Sequence, residues 1–408
     1  MGMAMEHRNA DPAAMDWDEV ARWARGLEAL HERIGQRFAR SESRAQALAY
    51  LKGLLGRVER KNSWQLAEYV GDTTPDGMQR LLATYDWDAD QVRDDLRSYV
   101  IAHLTDPDAV LVADETGFIK QGTQSVGVQR QYSGTAGKVD NCQIGVFLTY
   151  ASVQGHAFID RELYLPQGWT QDEARCREAG VPDDIEFQTK PQLVQQMLDR
   201  ARKAGVTARW FTADEVYGRN PGLRAWLERQ HQAYVLVVPS TERVPLASCA
   251  GIRYASVAEI AAHMPDDAWQ PCSAGAGAKG PRLYEWVGVV LAPPPDPTWG
   301  TWLLIRRNPS DHQALAYYLV CGPADTTMAE AIRVAGLRWS IDADFENAKG
   351  EVGLDHYEVR RWTGWYRHIT LALLAYAYLT VMRAQAVPTD GQKGGPIQQA
   401  SWTRFPSI

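Results

Sequence analysis

Between residues 17 and 103, apolar side chains recur at spacings of three and four, as in Val20, Trp23, Leu27, Leu30, Ile34 and Phe38. That period, with few β-branched runs, predicts an all-helical N-terminal region. Inside it, residues 63–70 read as a short helix and Gly71-Asp72-Thr73 as a turn. Thr74 and Pro75 then read as the cap and first residue of a second helix carrying Met78, Leu81 and Leu82. Two short helices around a glycine turn read first as an ordinary helical hairpin, and the same arrangement is that of a helix-turn-helix DNA reader.

Near Asp106 the pattern changes from helix to strand. The apolar run 109–114 ends in a carboxylate, and 126–128, 142–150 and 156–165 follow as consecutive, hairpin-linked strands. Residues 190–204 are amphipathic through Leu193, Met197 and Ala201. A second apolar strand over 208–214 again ends in an aspartate, and a helix over 220–232 leads to a fifth strand at 234–238. Residues 241–324 break this alternation with Pro- and Gly-rich joints between strand-like runs, the mark of a β-rich insertion. A long helical stretch, 328–381, and a loose tail complete the chain. The organisation expected is a helical region over 1–105, an α/β core over 106–240 and 325–383 interrupted by the insertion at 241–324, and a tail over 384–408.

Charge alters this picture locally. The chain of 408 residues carries a formal net charge of −7, which excludes a polybasic protein overall. Yet residues 33–61 hold Arg33, Arg37, Arg40, Arg44, Lys52, Arg57, Arg60 and Lys61 against only Glu42 and Glu59. Nucleic-acid binding follows such clusters, not the total. Five cysteines without a CxxC pair encode neither a zinc ribbon nor a disulfide framework, which suits a reducing cytoplasm. The apolar run 369–381 is too short to cross a bilayer, so no membrane association is expected.

Few catalytic signatures are present. HExxH, GxSxG, Walker A and CxxC are absent, and the GxGxxG letters at 275–280 precede a strand instead of a helix, which reads as a loop and not a phosphate site. What remains are carboxylates. Asp114 and Asp214 each end an apolar strand within a matching ADE tripeptide. Adjacent strands would hold the two carboxylates close together, at a cost that a cation relieves, and hard oxygen ligands suit Mg²⁺ or Mn²⁺. Farther on, Arg338, Asp342, Glu346 and Lys349 follow at steps of four, four and three, sharing one helix face. A solvated salt-bridge stripe has the same spacing.

The segments ADETG, FTADEVYG and LRWSIDADFENAKGEVGLDHYEVRRWTGWYRHITLALLAYAYL resemble the signature series of DDE-type insertion-sequence transposases of the cut-and-paste group. The resemblance implies an α/β fold with an RNase H-like core, a mixed five-stranded sheet interrupted by a β-strand insertion, behind a helical DNA-binding region. It implies metal-dependent cleavage and strand transfer at the element's terminal inverted repeats, on double-stranded DNA, by a dimer that pairs the ends, in the bacterial cytoplasm near the nucleoid. By position, Asp114 and Asp214 match the family's two aspartates, and Arg338 and Lys349 its phosphate-contacting basic residues. The family's tyrosine and glutamate positions fall instead on Ala335 and Asp342. Asp342 is the aligned third metal ligand with Asp114 and Asp214, and Glu346, one turn on, is the alternative.

Both chemical steps are in-line displacements at phosphorus, for which two metals about 3.5 to 4 Å apart and three carboxylates suffice. The 33–61 cluster would anchor the repeat through phosphate contacts. Trp286, Trp299 and Trp302, in the insertion, fit core packing or stacking on a displaced base. Two rival functions remain: a domesticated or catalytically impaired DNA-binding descendant, which the aspartate at 342 favours, and an RNase H-like structure-selective nuclease.

Overall fold

The computed structural model describes residues 17–134, 136–248, 251–277, 280–386 and 402–404. Five helices come first: α1 (Trp17–Gly35), α2 (Ser41–Leu55), α3 (Ser63–Val70), α4 (Asp76–Ala83) and α5 (Ala89–Leu104). Then follow β1 (Val110–Ile119), β2 (Gln129–Ser133), β3 (Lys138–Ser152) and β4 (Gly155–Tyr164), three helices α6 (Gln167–Thr170), α7 (Glu173–Ala179) and α8 (Lys190–Lys203), and β5 (Trp210–Ala213). The unit closes with α9 (Glu215–Gly218), α10 (Pro221–Arg229) and β6 (Ala233–Val238). The interrupting segment holds β7 (Arg243–Ser248), β8 (Gly251–Ser256), α11 (Val257–Ala262), β9 (Gln270–Gly277), β10 (Gly280–Val290), β11 (Trp299–Asn308) and β12 (Asp311–Pro323). Three helices, α12 (Met328–Leu337), α13 (Trp339–Val352) and α14 (Trp362–Ala386), and a short β13 (Thr403–Arg404) end the described chain.

β1 lies at the centre of the core sheet, antiparallel to β3 and parallel to β5, with β6 parallel beyond β5 and β4 antiparallel along β3. The runs expected at 109–114, 142–150, 156–165, 208–214 and 234–238 form these five strands, whereas the run expected at 126–128 is a turn ahead of β2, and the mixed sheet does not stop at five. β12 runs antiparallel along β6, and β11, β10 and β9 continue outward, giving eleven strands among the described residues. The expected five-stranded sheet with an insertion set into it is therefore corrected: the inserted strands satisfy the backbone groups that β6 would otherwise leave open at an edge. Among the described residues only the β7–β8 hairpin stands apart, and with α11 it covers a small second core of Val257, Ile260, Val287 and Val289. Trp286 and Trp302 are buried, and Trp302 stacks on Trp402, so their role is packing. The GxGxxG letters fall in the β9–β10 hairpin, with positions 278 and 279 outside the described residues. Cys249 and nearly all of the expected tail also lie outside them.

The N-terminal helices do not form a core of their own. One apolar cluster runs from Leu30 through Val112 to Val381. Polar bonds reinforce it: Tyr50 Oη lies 2.8 Å from His368 Nδ1, Arg367 donates to the Trp87 carbonyl at 2.7 Å, and the buried Arg161 donates to Asp90 at 2.8 Å. The helix they surround is α14. By length and composition it is the one helix among the described residues that could cross a membrane, longer than the 369–381 run suggests. Here it is packed against α2, α4, α5, α13 and β4.

Local signals explain the helix pair. The Asn62 side chain accepts from the Trp64 and Gln65 amides to start α3, and Gly71, at φ 87°, ends it in the left-handed region that favours glycine. Pro75 is the cap of α4 and not its first helical residue.

Candidate active site

The two aspartates arrive together because of strand register. Ala113 pairs with Ala213 at the end of the parallel β1–β5 ladder, so Asp114 and Asp214 are the next residues on neighbouring strands. Their settings differ. β1 continues to Ile119 against β3, which puts Asp114 in mid-strand and not at the strand end. Asp214 leaves β5 and caps α9, its carboxylate accepting from the Val216 amide at 2.9 Å. Gly218 closes that turn against β6, where an added Cβ would lie 1.9 Å from the Val237 carbonyl oxygen.

α13 docks across the same face of β1. Arg338 donates to Asp114 at 3.4 Å and to Asp342 at 3.2 Å, so one guanidinium ties the third candidate acid to the first. Lys349 donates to Thr116 Oγ1 at 2.8 Å. Glu346 is exposed and makes no hydrogen bond or ion pair among the described residues. Between Asp342 and Glu346, Asp344 points the other way: fully buried, it binds Thr149 at 3.0 Å, His156 at 2.5 Å and Tyr376 at 2.7 Å, and so fastens α13 to β3, β4 and α14. At the N-terminal end of α13, Trp339 stacks on Tyr284 of β10, with Arg306 over both rings.

Burial, then the charges of Asp214 and Glu115, hold Asp114 well above the usual carboxylate range, although Arg338 opposes the shift. Burial and Glu115 push Asp214 up to about 6. Glu115, the second acid of its tripeptide, was not singled out from sequence. It projects from the opposite face of β1, ion-paired to Lys190 at 2.5 Å and bonded by the Tyr217 hydroxyl. The matching ADE tripeptides contained that signal.

Both aspartates take up protons more readily folded than unfolded, the reverse of a salt-bridged carboxylate. Their ionisation therefore destabilises the fold above about pH 6, and that cost fades on acidification toward about pH 4. In thermal denaturation with EDTA, Asp114→Asn/Asp214→Asn is expected to melt above the wild type at neutral pH. The difference should shrink as pH falls; a difference that widens on acidification would contradict the assignment.

Such a repelling, half-closed carboxylate pair of hard oxygen donors fits a divalent cation. The expected set of three is not closed, however: Arg338 stands between Asp114 and Asp342, and no three acidic, histidine or cysteine side chains among the described residues converge closely enough to hold an ion. Arg338 is thus the shared counter-ion of Asp114 and Asp342.

The basic N-terminal cluster divides by burial. Arg33, Arg40, Arg57 and Arg60 are exposed and carry no ion pair among the described residues. Arg37 is clamped on Asp95 at 2.8 and 2.9 Å, and Arg44 donates to the Gly35 carbonyl at 2.9 Å. Lys61 is a correction: it is 3 % exposed, and its ammonium caps the end of α2 by donating to the Leu54 and Gly56 carbonyls at 2.7 Å each. A lysine satisfied this way cannot contact DNA.

Residues 33–249 match the DDE superfamily endonuclease family, over more than half the chain and across both Asp114 and Asp214. The chain belongs to the DDE superfamily endonucleases. That match ends before α13, so Arg338, Asp342 and Lys349 rest on the geometry above. This DDE endonuclease is also similar to a probable transposase for insertion sequence element IS701 from Microchaete diplosiphon. The two are 26% identical over 253 residues, which spans 61% of this chain and 60% of that protein. Members of the superfamily generally use divalent metal ions.

Proposed function

We propose that the protein is a DNA transposase that binds the terminal inverted repeats of its own insertion element, cuts a phosphodiester bond at each end and joins the freed 3′ hydroxyl to target DNA. The observation that carries this reading is the side-by-side placement of Asp114 and Asp214 beneath a helix whose Arg338 touches both Asp114 and Asp342. Asp114, Asp214 and Asp342 are the residues that would hold Mg²⁺ or Mn²⁺. Such an ion, when bound, activates the attacking oxygen and stabilises the leaving one. The chain's own part is to hold the carboxylates at fixed register, to keep Lys349 beside the cut, and to anchor duplex DNA through Arg33, Arg40, Arg57 and Arg60. Two copies pairing the two ends complete the reading.

Asp342 is the third acid in this reading because Arg338 links it to Asp114, whereas Glu346 faces solvent without such a tie. In a Mg²⁺-dependent nicking assay on DNA carrying the element ends, Asp342→Ala is expected to lose about a hundredfold or more of the rate. Glu346→Ala should stay close to wild type, and Asp342→Glu should retain activity. Activity kept by Asp342→Ala and lost by Glu346→Ala would reverse the assignment. Absence of nicking in the wild type, with DNA binding intact, would favour the catalytically impaired descendant. Deleting residues 1–100 does not separate a transposase from a structure-selective nuclease, because those helices share the core of the catalytic sheet. Single substitutions at Arg33, Arg40 and Arg57 are the informative ones.

A further inference from the structure

Side chains at 114, 116, 118 and 120 follow one another along one face of β1 and its immediate extension, where the Lys120 amide still bonds to the Asn141 carbonyl at 2.9 Å. Each polar member meets a cation or is one. Arg338 stands on Asp114, Lys349 on Thr116 with its ammonium 5.8 Å from the Phe118 ring, and Lys120 lies with its ammonium 3.6 Å from the Tyr357 ring centre. Lys120 is half-buried; its ammonium donates to the Tyr357 carbonyl and lies over that ring without a direct ion pair, while the charges of Asp355 and Glu358 nearby favour its protonated form. Burial lowers its pKa to about 8, which still leaves it largely charged near neutrality.

The row opens into a groove of about 510 Å³ whose lining includes Arg60, Lys120 and Arg360 together with the acids Glu59, Asp355 and Glu358. Arg360 also lines the neighbouring hollow under Trp64 of α3, together with Arg361. Gly353, at φ 65° and with Lys61 2.9 Å from where a Cβ would stand, turns the chain sharply from α13 into this arginine-bearing loop. Arg60, Arg360 and Arg361 are exposed and form no ion pair among the described residues, and Trp64 is 64% exposed. Cations at steps along an extended strand, continued by unpaired arginines beside an exposed indole, suit consecutive phosphates of a nucleic-acid backbone with a stacking group at the far end.

We propose that Lys120, Arg360 and Arg361 hold the DNA backbone along a path from the carboxylate site to the α3–α4 helix pair. The inference rests on the transposase reading and adds the route its substrate takes. From Thr116 to Lys120 the strand rises about 13 Å, far enough to meet more than one phosphate of a single backbone.

The test uses the full chain and a fluorescein-labelled 40-base-pair duplex of random sequence, since phosphate contacts carry no base preference. Affinity is measured by anisotropy from low to high salt for the wild type, Lys120→Gln, Arg360→Gln/Arg361→Gln and a control, Arg229→Gln, on the exposed end of α10. The expected result is weaker binding, with the slope of log affinity against log salt reduced by about one per residue removed. Lys120→Arg should restore the Lys120→Gln loss, and the control should match the wild type. Slopes and affinities of the glutamine variants equal to the control would overturn the path while leaving the transposase reading standing. A wild type with no affinity for any DNA would overturn both. Circular dichroism of Arg360→Gln/Arg361→Gln, whose side chains are exposed, guards against misfolding as the cause.

Discussion

Asp114→Asn is expected to abolish metal-dependent nicking, by about a thousandfold or more, while leaving DNA binding unimpaired. The two halves have one cause. Asp114 sits with most of its surface covered, beside Asp214 and Glu115, where like charges and burial both disfavour ionisation. The fold keeps this unfavourable charge, and the amide would relieve it without changing the shape of the site. Asparagine supplies one neutral oxygen where an ion requires a charged ligand, so function falls as thermal stability rises, the trade-off expected of a strained functional site. The measurement is a single-turnover nicking assay beside an anisotropy titration and a melting curve. Nicking that survives in Asp114→Asn would remove Asp114 from the chemistry, and a lowered melting temperature would mean that its carboxylate holds the fold together.

The second large effect lies two residues from Asp342 and has the opposite character. Asp344→Ala should destabilise the protein by about 3 to 5 kcal/mol, because it leaves the hydroxyls of Thr149 and Tyr376 and the ring of His156 without their common acceptor inside the core. Asp344→Asn should cost less, since an amide oxygen still accepts. Chemical denaturation measures both. Burial acts against protonation of His156, but its hydrogen bond and charge pairing with Asp344 outweigh that and raise its pKa. The stabilisation from that pair is therefore fully present below the imidazole's ordinary pKa and is lost as pH rises through the elevated one. An Asp344→Ala protein as stable as the wild type would show that α13 is held by its apolar face alone.

Along α13, then, three acids at even spacing have three fates. Asp342 is tied to Asp114 through Arg338, Asp344 is the buried anchor, and Glu346 is solvated. Helical periodicity separates Asp344 from the face shared by Asp342 and Glu346, and that much was legible. The difference between Asp342 and Glu346 was not, since it depends on how far along β1 the helix docks. The N-terminal cluster makes the same point. Counting charges found the eight basic residues, yet Lys61 and Arg37 are spent on the Leu54 and Gly56 carbonyls and on Asp95, and only burial could reveal it. Glu115 was overlooked because its partners, Lys190 and Tyr217, come from distant elements brought together under the sheet.

By itself, the order of residues determined the helical first quarter, the two buried strands that carry aspartates, the interrupting β-rich segment and the family to which they belong. Those properties are local: hydrophobic period, caps, turn residues and short motifs act over a few positions and survive without their surroundings. Only the tertiary structure decided that the inserted strands continue the core sheet, that the helical region shares its core, and which charges face the carboxylates. Those outcomes depend on strand register and burial, which join residues a hundred or more positions apart, and no short stretch of chain records them.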